Sequence, residues 1–198
     1  MTTTNVLEPD REQLEAFVNT IFRYAGDRGY VAIRSFFQEN NKVFRRSIAG
    51  LSGGLKYLID VAEDDARRAA QNPTAVVFCP PLAVFAGKGR AREEDVLLGP
   101  ALSVECDEHP LKARVTLEAL LGPATVVVQS GGRWINGGGA PEDKLHLHWR
   151  LAKPAEGKDC VRREIKDLIE PVAWKRCEVV NKAERESLKT ILEKWGVP

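Results

Sequence analysis

Glu105 and Asp107 stand two residues apart at the end of the apolar run ALSVECD, residues 101–107. Alternate side chains of an extended chain leave on the same face, so the two carboxylates share a side with Ser103, about 6–7 Å apart at the backbone. Leu102, Val104 and Cys106 take the other side. A carboxylate pair at that spacing suits a hard divalent cation, Mg²⁺ or Mn²⁺, whose coordination is completed by water or substrate phosphates. A second stretch, KLHLHWRL at 144–151, alternates without a break. Leu145, Leu147, Trp149 and Leu151 point one way, and Lys144, His146, His148 and Arg150 point the other. Such a row is either an ordinary wet sheet face or a receptor for something anionic, a triphosphate for example. Between the two stretches, Ser130, Gly131 and Gly132 offer a hydroxyl and backbone amides with little bulk. Carboxylates for metal, joined to cations, hydroxyl and amides for phosphate, compose a phosphoryl-transfer site. Singly each signal is ordinary, since acidic strand ends are commonly solvated and Ser-Gly-Gly is a frequent turn. Their order across adjacent elements is what points to an active site.

The elements that must position these residues follow from periodicity. PDREQLEAFVNTIFRYA carries Leu14, Phe17, Val18, Ile21 and Phe22 at helical spacing. YVAIRSFF (30–37) reads as a strand, followed by a polar turn at Glu39-Asn40-Asn41. LKYLIDVAEDDARRAAQ is a second amphipathic helix, ended by Asn72-Pro73. AVVFC (75–79) is a short strand stopped by Pro80-Pro81, and AGKGRAREED (86–95) reads as an exposed, charged loop without the spacing of a Walker motif. ALSVECD, the helix of HPLKARVTLEALLG (109–122) with Pro110 in its first turn, and the strand ATVVVQS (124–130) form a βαβ unit, expected to make parallel neighbours. The glycine-rich loop GGRWINGGGAPED returns the chain into KLHLHWRL as an antiparallel hairpin partner. Past Pro154 the chain is dense in both charge signs, with Leu188, Ile191, Leu192 and Trp195 on one side of a final helix.

Composition narrows the partners. The 198 residues carry 29 Lys and Arg against 28 Asp and Glu, a formal net charge of +1. A broad basic field is absent, so any nucleic-acid contact must come from a local cluster. The start MTTTNVLEPDREQ lacks the basic-then-apolar order of a secretion signal, and no apolar run is long enough to span a bilayer. Cys79, Cys106, Cys160 and Cys177 are scattered without a CxxC pair, which argues for reduced thiols rather than a zinc site or disulfide framework. The expected setting is the cytoplasm, with no membrane contact.

ALSVECDEHP, then LEALLGPATVVVQSGGRW, then KLHLHWRLAKP resembles the RepB-like primase-polymerases of plasmids, phages and integrated elements, a group of the archaeo-eukaryotic primase superfamily. GGLKYLIDVAEDDARRAA and VVFCPPLAVF look like that group's N-terminal part, and the likeness covers roughly residues 10 to 154. The resemblance implies an α+β fold, an RRM-like mixed sheet flanked by helices over residues 1–154; the composition past it adds a charged, mostly helical segment over 155–198. It implies Glu105 and Asp107 as metal ligands, with His146 the histidine that contacts the nucleotide's phosphates. Ser130, Gly131, Lys144, His148 and Arg150 join His146 as the nucleotide-binding set, although the residues alone leave open which of His146 and His148 makes the contact. The implied activity is Mg²⁺- or Mn²⁺-dependent polymerisation of nucleoside triphosphates on a DNA template. A replication-protein partner, or self-association through the C-terminal helix, is compatible with the pattern.

Two departures bear on this reading. Glu105 stands where many relatives have aspartate, which lengthens one ligand by a methylene and keeps its chemistry. The family's third motif is missing, displaced or degenerate, with only Pro171 and Trp174 loosely in place. A non-catalytic primase-like protein that binds nucleic acid or a protein partner as a regulator or inhibitor is therefore the alternative. Nuclease-type phosphoryl transfer ranks last, because the histidine row suits a triphosphate better than a diester.

Overall fold

The fold is a computed structural model describing residues 7–89, 91–135 and 139–157. The chain is α+β, with antiparallel strand pairs flanked by helices. It divides into two compact units, Met1–Leu98 and Gly99–Pro198. The stretch 1–154, expected as one catalytic domain, thus contains the whole first unit and most of the described part of the second. Of the expected C-terminal segment, residues 158–198, with Pro171, Trp174 and the predicted final helix, lie outside the described residues.

In the first unit, α1 (Arg11–Ile21) starts where the side chain of Asp10 accepts a hydrogen bond from the Gln13 amide at 3.1 Å, a standard N-cap. Strand β1 (Tyr30–Phe37) is central. It pairs antiparallel with β2 (Val43–Gly50), and along its other edge with β3 (Val76–Cys79) and β4 (Val84–Phe85). Val31, Ile33 and Ser35 of β1 are fully buried, on the side covered by α2 (Gly54–Ala70) with its buried Leu58, Ile59 and Ala62. Tyr30, Ala32, Arg34 and Phe36 alternate onto the opposite, half-open face.

Strand β2 is absent from the sequence expectation, because VFRRSIAG puts two arginines where a half-buried strand would alternate. The tertiary structure resolves the conflict by giving Arg45 a buried partner. Asp65 of α2 is wholly buried, and its Oδ1 accepts from Arg45 Nε and from Ser47 Oγ, the latter at 2.8 Å. Its Oδ2 has no hydrogen-bond partner. Arg45→Met leaves this carboxylate with Ser47 alone, and we expect a loss of about 2 kcal/mol. Urea unfolding checks it: the midpoint falls with an unchanged slope, and Arg45→Lys recovers part of the loss.

Strand β5 (Val96–Cys106) starts in the first unit, where Val84 and Phe85 pair with Leu98 and Val96, and ends in the second. There it is followed by α3 (Pro110–Leu121), β6 (Val126–Trp134) and β7 (Glu142–Glu156). The strand order is β5-β7-β6. This corrects the expected parallel neighbours: α3 does connect β5 to β6, but β7 inserts between them. The expected antiparallel hairpin of β6 and β7 is present, with Val126 opposite His148 and Trp134 opposite Glu142. Both strands run longer than the alternation suggested.

The apolar sides of these strands make one core. Leu102, Val104 and Cys106 meet Leu145, Leu147, Trp149 and Leu151 beneath Leu117 and Leu121 of α3. Trp149 is 2 % exposed, and its indole Nε1 donates to the Gly122 carbonyl at 2.9 Å, fastening the end of α3 to the middle of β7. The turn into β6 is closed by Glu118, whose carboxylate accepts from the Ala124 amide at 3.1 Å. That bond, with the Arg114 guanidinium behind it, holds the Glu118 carboxyl below the usual range.

Candidate active site

With the apolar rows turned into the core, the polar rows of β5 and β7 must share the opposite face, and two contacts set their register. Ser103 Oγ lies 2.8 Å from His148 Nδ1, and Lys144 Nζ lies 3.2 Å from Asp107 Oδ1. Four residues forward on β5 correspond to four residues back on β7, as in an antiparallel ladder. Glu105 therefore occupies the cross-strand position opposite His146. Strand β6 extends the same rungs, since Val126 pairs with His148 and Val128 with His146. Ser130 Oγ reaches the Lys144 carbonyl at 3.4 Å. Three rungs result: Ser103, His148 and Val126; Glu105, His146 and Val128; Asp107, Lys144 and Ser130.

The Ser-Gly-Gly segment does not end its strand as expected. It bulges within β6, because the step from Gln129 to Arg133 is matched on β7 only by the step from Leu145 to Asp143. Gly131 sits at φ +80°, which L side chains rarely adopt. A Cβ on Gly132 would meet Lys144 Cδ at 2.8 Å. The two glycines let the backbone turn and let the lysine stem lie across it, which aims the ammonium at Asp107.

The two histidines, equivalent in the sequence, differ in the fold. His146 is half-buried beside the exposed Glu105. His148 is 3 % exposed, and burial, with the nearby His146 second, pushes its pKa down to about 4. The His148 ring is neutral at ordinary pH, so it braces Ser103 instead of offering charge to an anion. Arg150 lies two residues beyond His148, and its amide donates to Thr125 Oγ1 at 3.0 Å. It is about 20 Å along the strand from Lys144, at the far end of the row. The fold therefore brings together Glu105, Asp107, Lys144, His146, Ser130 and Gly131; His148, next to His146 in the row, is engaged with Ser103, and Arg150 lies at the far end.

The third histidine positions the acidic end, a role that the sequence reading did not anticipate. His109 precedes α3 in a left-handed conformation, φ 45°, and its ring packs on Trp134 with centroids 4.0 Å apart. Glu142, opposite Trp134, accepts from the Leu111 amide at 3.2 Å and so supplies the cap that His109 does not. The segment after Asp107 is thereby pinned to the far end of the β6–β7 hairpin. Pro110 after a histidine was the available signal, since it marks the helix start and a constrained residue before it.

Glu105 and Asp107 are exposed oxygen donors on one face, the donor chemistry of a Mg²⁺ or Mn²⁺ site completed by phosphates and water. Among the described residues, no set of three or more His, Cys, Asp or Glu side chains is arranged to hold a metal by itself. Among them, too, no helix is long and apolar enough to cross a membrane. Compared with models of protein families, with curated proteins and with solved structures, the chain matches none.

Proposed function

We propose that the protein is a cytoplasmic, metal-dependent nucleotidyltransferase of the primase-polymerase type. It joins nucleoside triphosphates on a DNA template during replication of a plasmid, phage or integrated element. The observation that carries this reading is the register that sets Glu105 and Asp107 across from His146 and Lys144, with Ser130 on the next strand. Glu105 and Asp107 would hold Mg²⁺ or Mn²⁺, which when bound supplies neutralisation of phosphate charge and polarises the reacting phosphoryl group.

The chain's own groups do the positioning. Lys144 is paired with Asp107 in the free protein. Were Asp107 to hold the metal, the Lys144 ammonium, two residues along β7 from His146, would be available to the triphosphate. Ser130 Oγ and the backbone around Gly131 add donors on the β6 side, where the bulge leaves them exposed. His148 keeps Ser103 and its stretch of β7 in place.

Titrating a deoxynucleoside triphosphate into the full chain with Mn²⁺ in a calorimeter tests the proposal. Saturable binding that requires the metal is expected, weakened at least about tenfold by His146→Ala, the worth of one hydrogen bond to a charged group. Heats that do not depend on the metal would overturn the reading. The Lys144–Asp107 ion pair also suits the alternative, a non-catalytic primase-like regulator, because the lysine already neutralises one carboxylate. That reading predicts nucleic-acid or protein binding with no nucleotide incorporation.

A further inference from the structure

The open face of the first unit places Arg34 of β1 directly opposite Arg46 of β2. Like charges facing each other across an antiparallel pair are destabilising. Arg46 is exposed and makes no ion pair among the described residues. Arg34 is held in place, donating from Nη2 to the Ala91 carbonyl at 2.5 Å. That bond draws the loop after β4 alongside β1. The same loop carries Lys88, whose Nζ sits 5.6 Å from the centroid of the Tyr30 ring. Tyr30 and Arg34 lie on one face of β1 by alternation, together with Phe36. Phe36 pairs with Val43 on one side and Val77 on the other, which are 54 % and 45 % exposed.

The patch therefore interleaves three cations with aromatic and apolar surface on a sheet. The cations ask for repeated negative charge, and the half-buried Tyr30 and Phe36 rings, with the exposed Val43 and Val77 beside Phe36, ask for flat apolar groups between those charges. A single-stranded nucleic acid offers both, with phosphates for Arg34, Arg46 and Lys88 and unstacked bases for the rings. A duplex keeps its base faces stacked away from the rings. A lipid surface has no flat groups to lay on a sheet. We infer that this face of β1, β2 and β3, with the loop carrying Lys88, is a binding surface for single-stranded nucleic acid of low sequence preference. It gives the proposed polymerase a strand-holding surface, and it stands equally if the chain is not catalytic.

The test is anisotropy of a labelled oligothymidylate with the full chain, in a salt series from about 50 to 200 mM. Affinity is expected to fall with salt, the log–log slope carrying about 0.7 per phosphate contact. Arg46→Glu weakens binding at least about tenfold and flattens the slope, because a repelling charge replaces one contact. Phe36→Leu weakens it about fivefold or more through lost stacking, with the salt slope unchanged. Circular dichroism checks that both variants are folded. Affinity that is flat in salt, or unchanged in Arg46→Glu, overturns the inference. So does a wild-type preference for an acidic peptide or anionic vesicles over the oligonucleotide. Because Mn²⁺-dependent nucleotide binding is read separately, either reading can fail while the other survives.

Discussion

If the proposed function holds, replacing Glu105 and Asp107 together by alanine is expected to abolish template-dependent nucleotide incorporation, by a factor of at least about 10³, and to leave the domain folded. Both side chains are exposed at the end of β5, away from the core of Leu102, Val104 and Cys106. Substitution at such positions alters stability by roughly half a kcal/mol. The lost Lys144–Asp107 pair adds little, because an ion pair in solvent is worth at most about 1 kcal/mol. The chemical cost is larger. Charge stabilisation by a bound divalent ion is worth several kcal/mol in the transition state, and about 4 kcal/mol corresponds to the stated factor. Primer extension on a single-stranded template with Mn²⁺, alongside thermal unfolding, reads both halves. A double variant that is folded and fully active would remove the mechanism.

The second large effect is on stability against pH, and it comes from His148. Its pKa falls from 6.5 toward about 4 on folding, because the neutral ring is buried against Ser103. Between those values the unfolded chain takes up a proton that the folded protein refuses, so stability rises with pH across that window. The contribution is complete above pH 6.5 and is lost as pH falls toward 4. Integrated over the window it amounts to about 3 kcal/mol. Other groups titrate nearby, so the measurement is a difference: denaturant unfolding at several pH values for the wild type and for His148→Asn. The variant is expected to be less stable at pH 7 and to show a shallower decline between pH 6.5 and 4. Parallel declines would place the titration elsewhere.

Much of the second unit was legible from the strict alternation of KLHLHWRL and ALSVECD. A residue period of two leaves one geometric outcome once Leu145, Leu147 and Trp149 are committed to a core. The acidic and basic rows were bound to face the same way if the strands were neighbours. That they are direct neighbours, with β7 between β5 and β6, was not legible, because the connecting helix says nothing about which strand a later hairpin displaces. In the first unit, β2 is not legible in the sequence for a similar reason. Arg45 looks like a surface residue until α2 brings the buried Asp65 to it.

Periodicity and residue type by themselves determined the helices and strands of α1, α2, α3, β1, β5 and β7, the core rows of β5 and β7, and the chemistry available at Glu105, Asp107, Ser130, Lys144 and His146. Those are local properties, set by side-chain direction along one strand. Only the tertiary structure decided the rest: the rung that sets Glu105 against His146, the lysine laid over Gly132 toward Asp107, the pinning of His109 on Trp134, and the unequal fates of the two histidines. Each of these depends on what lies across the sheet or over it, and a linear pattern carries no record of cross-strand register or of desolvation.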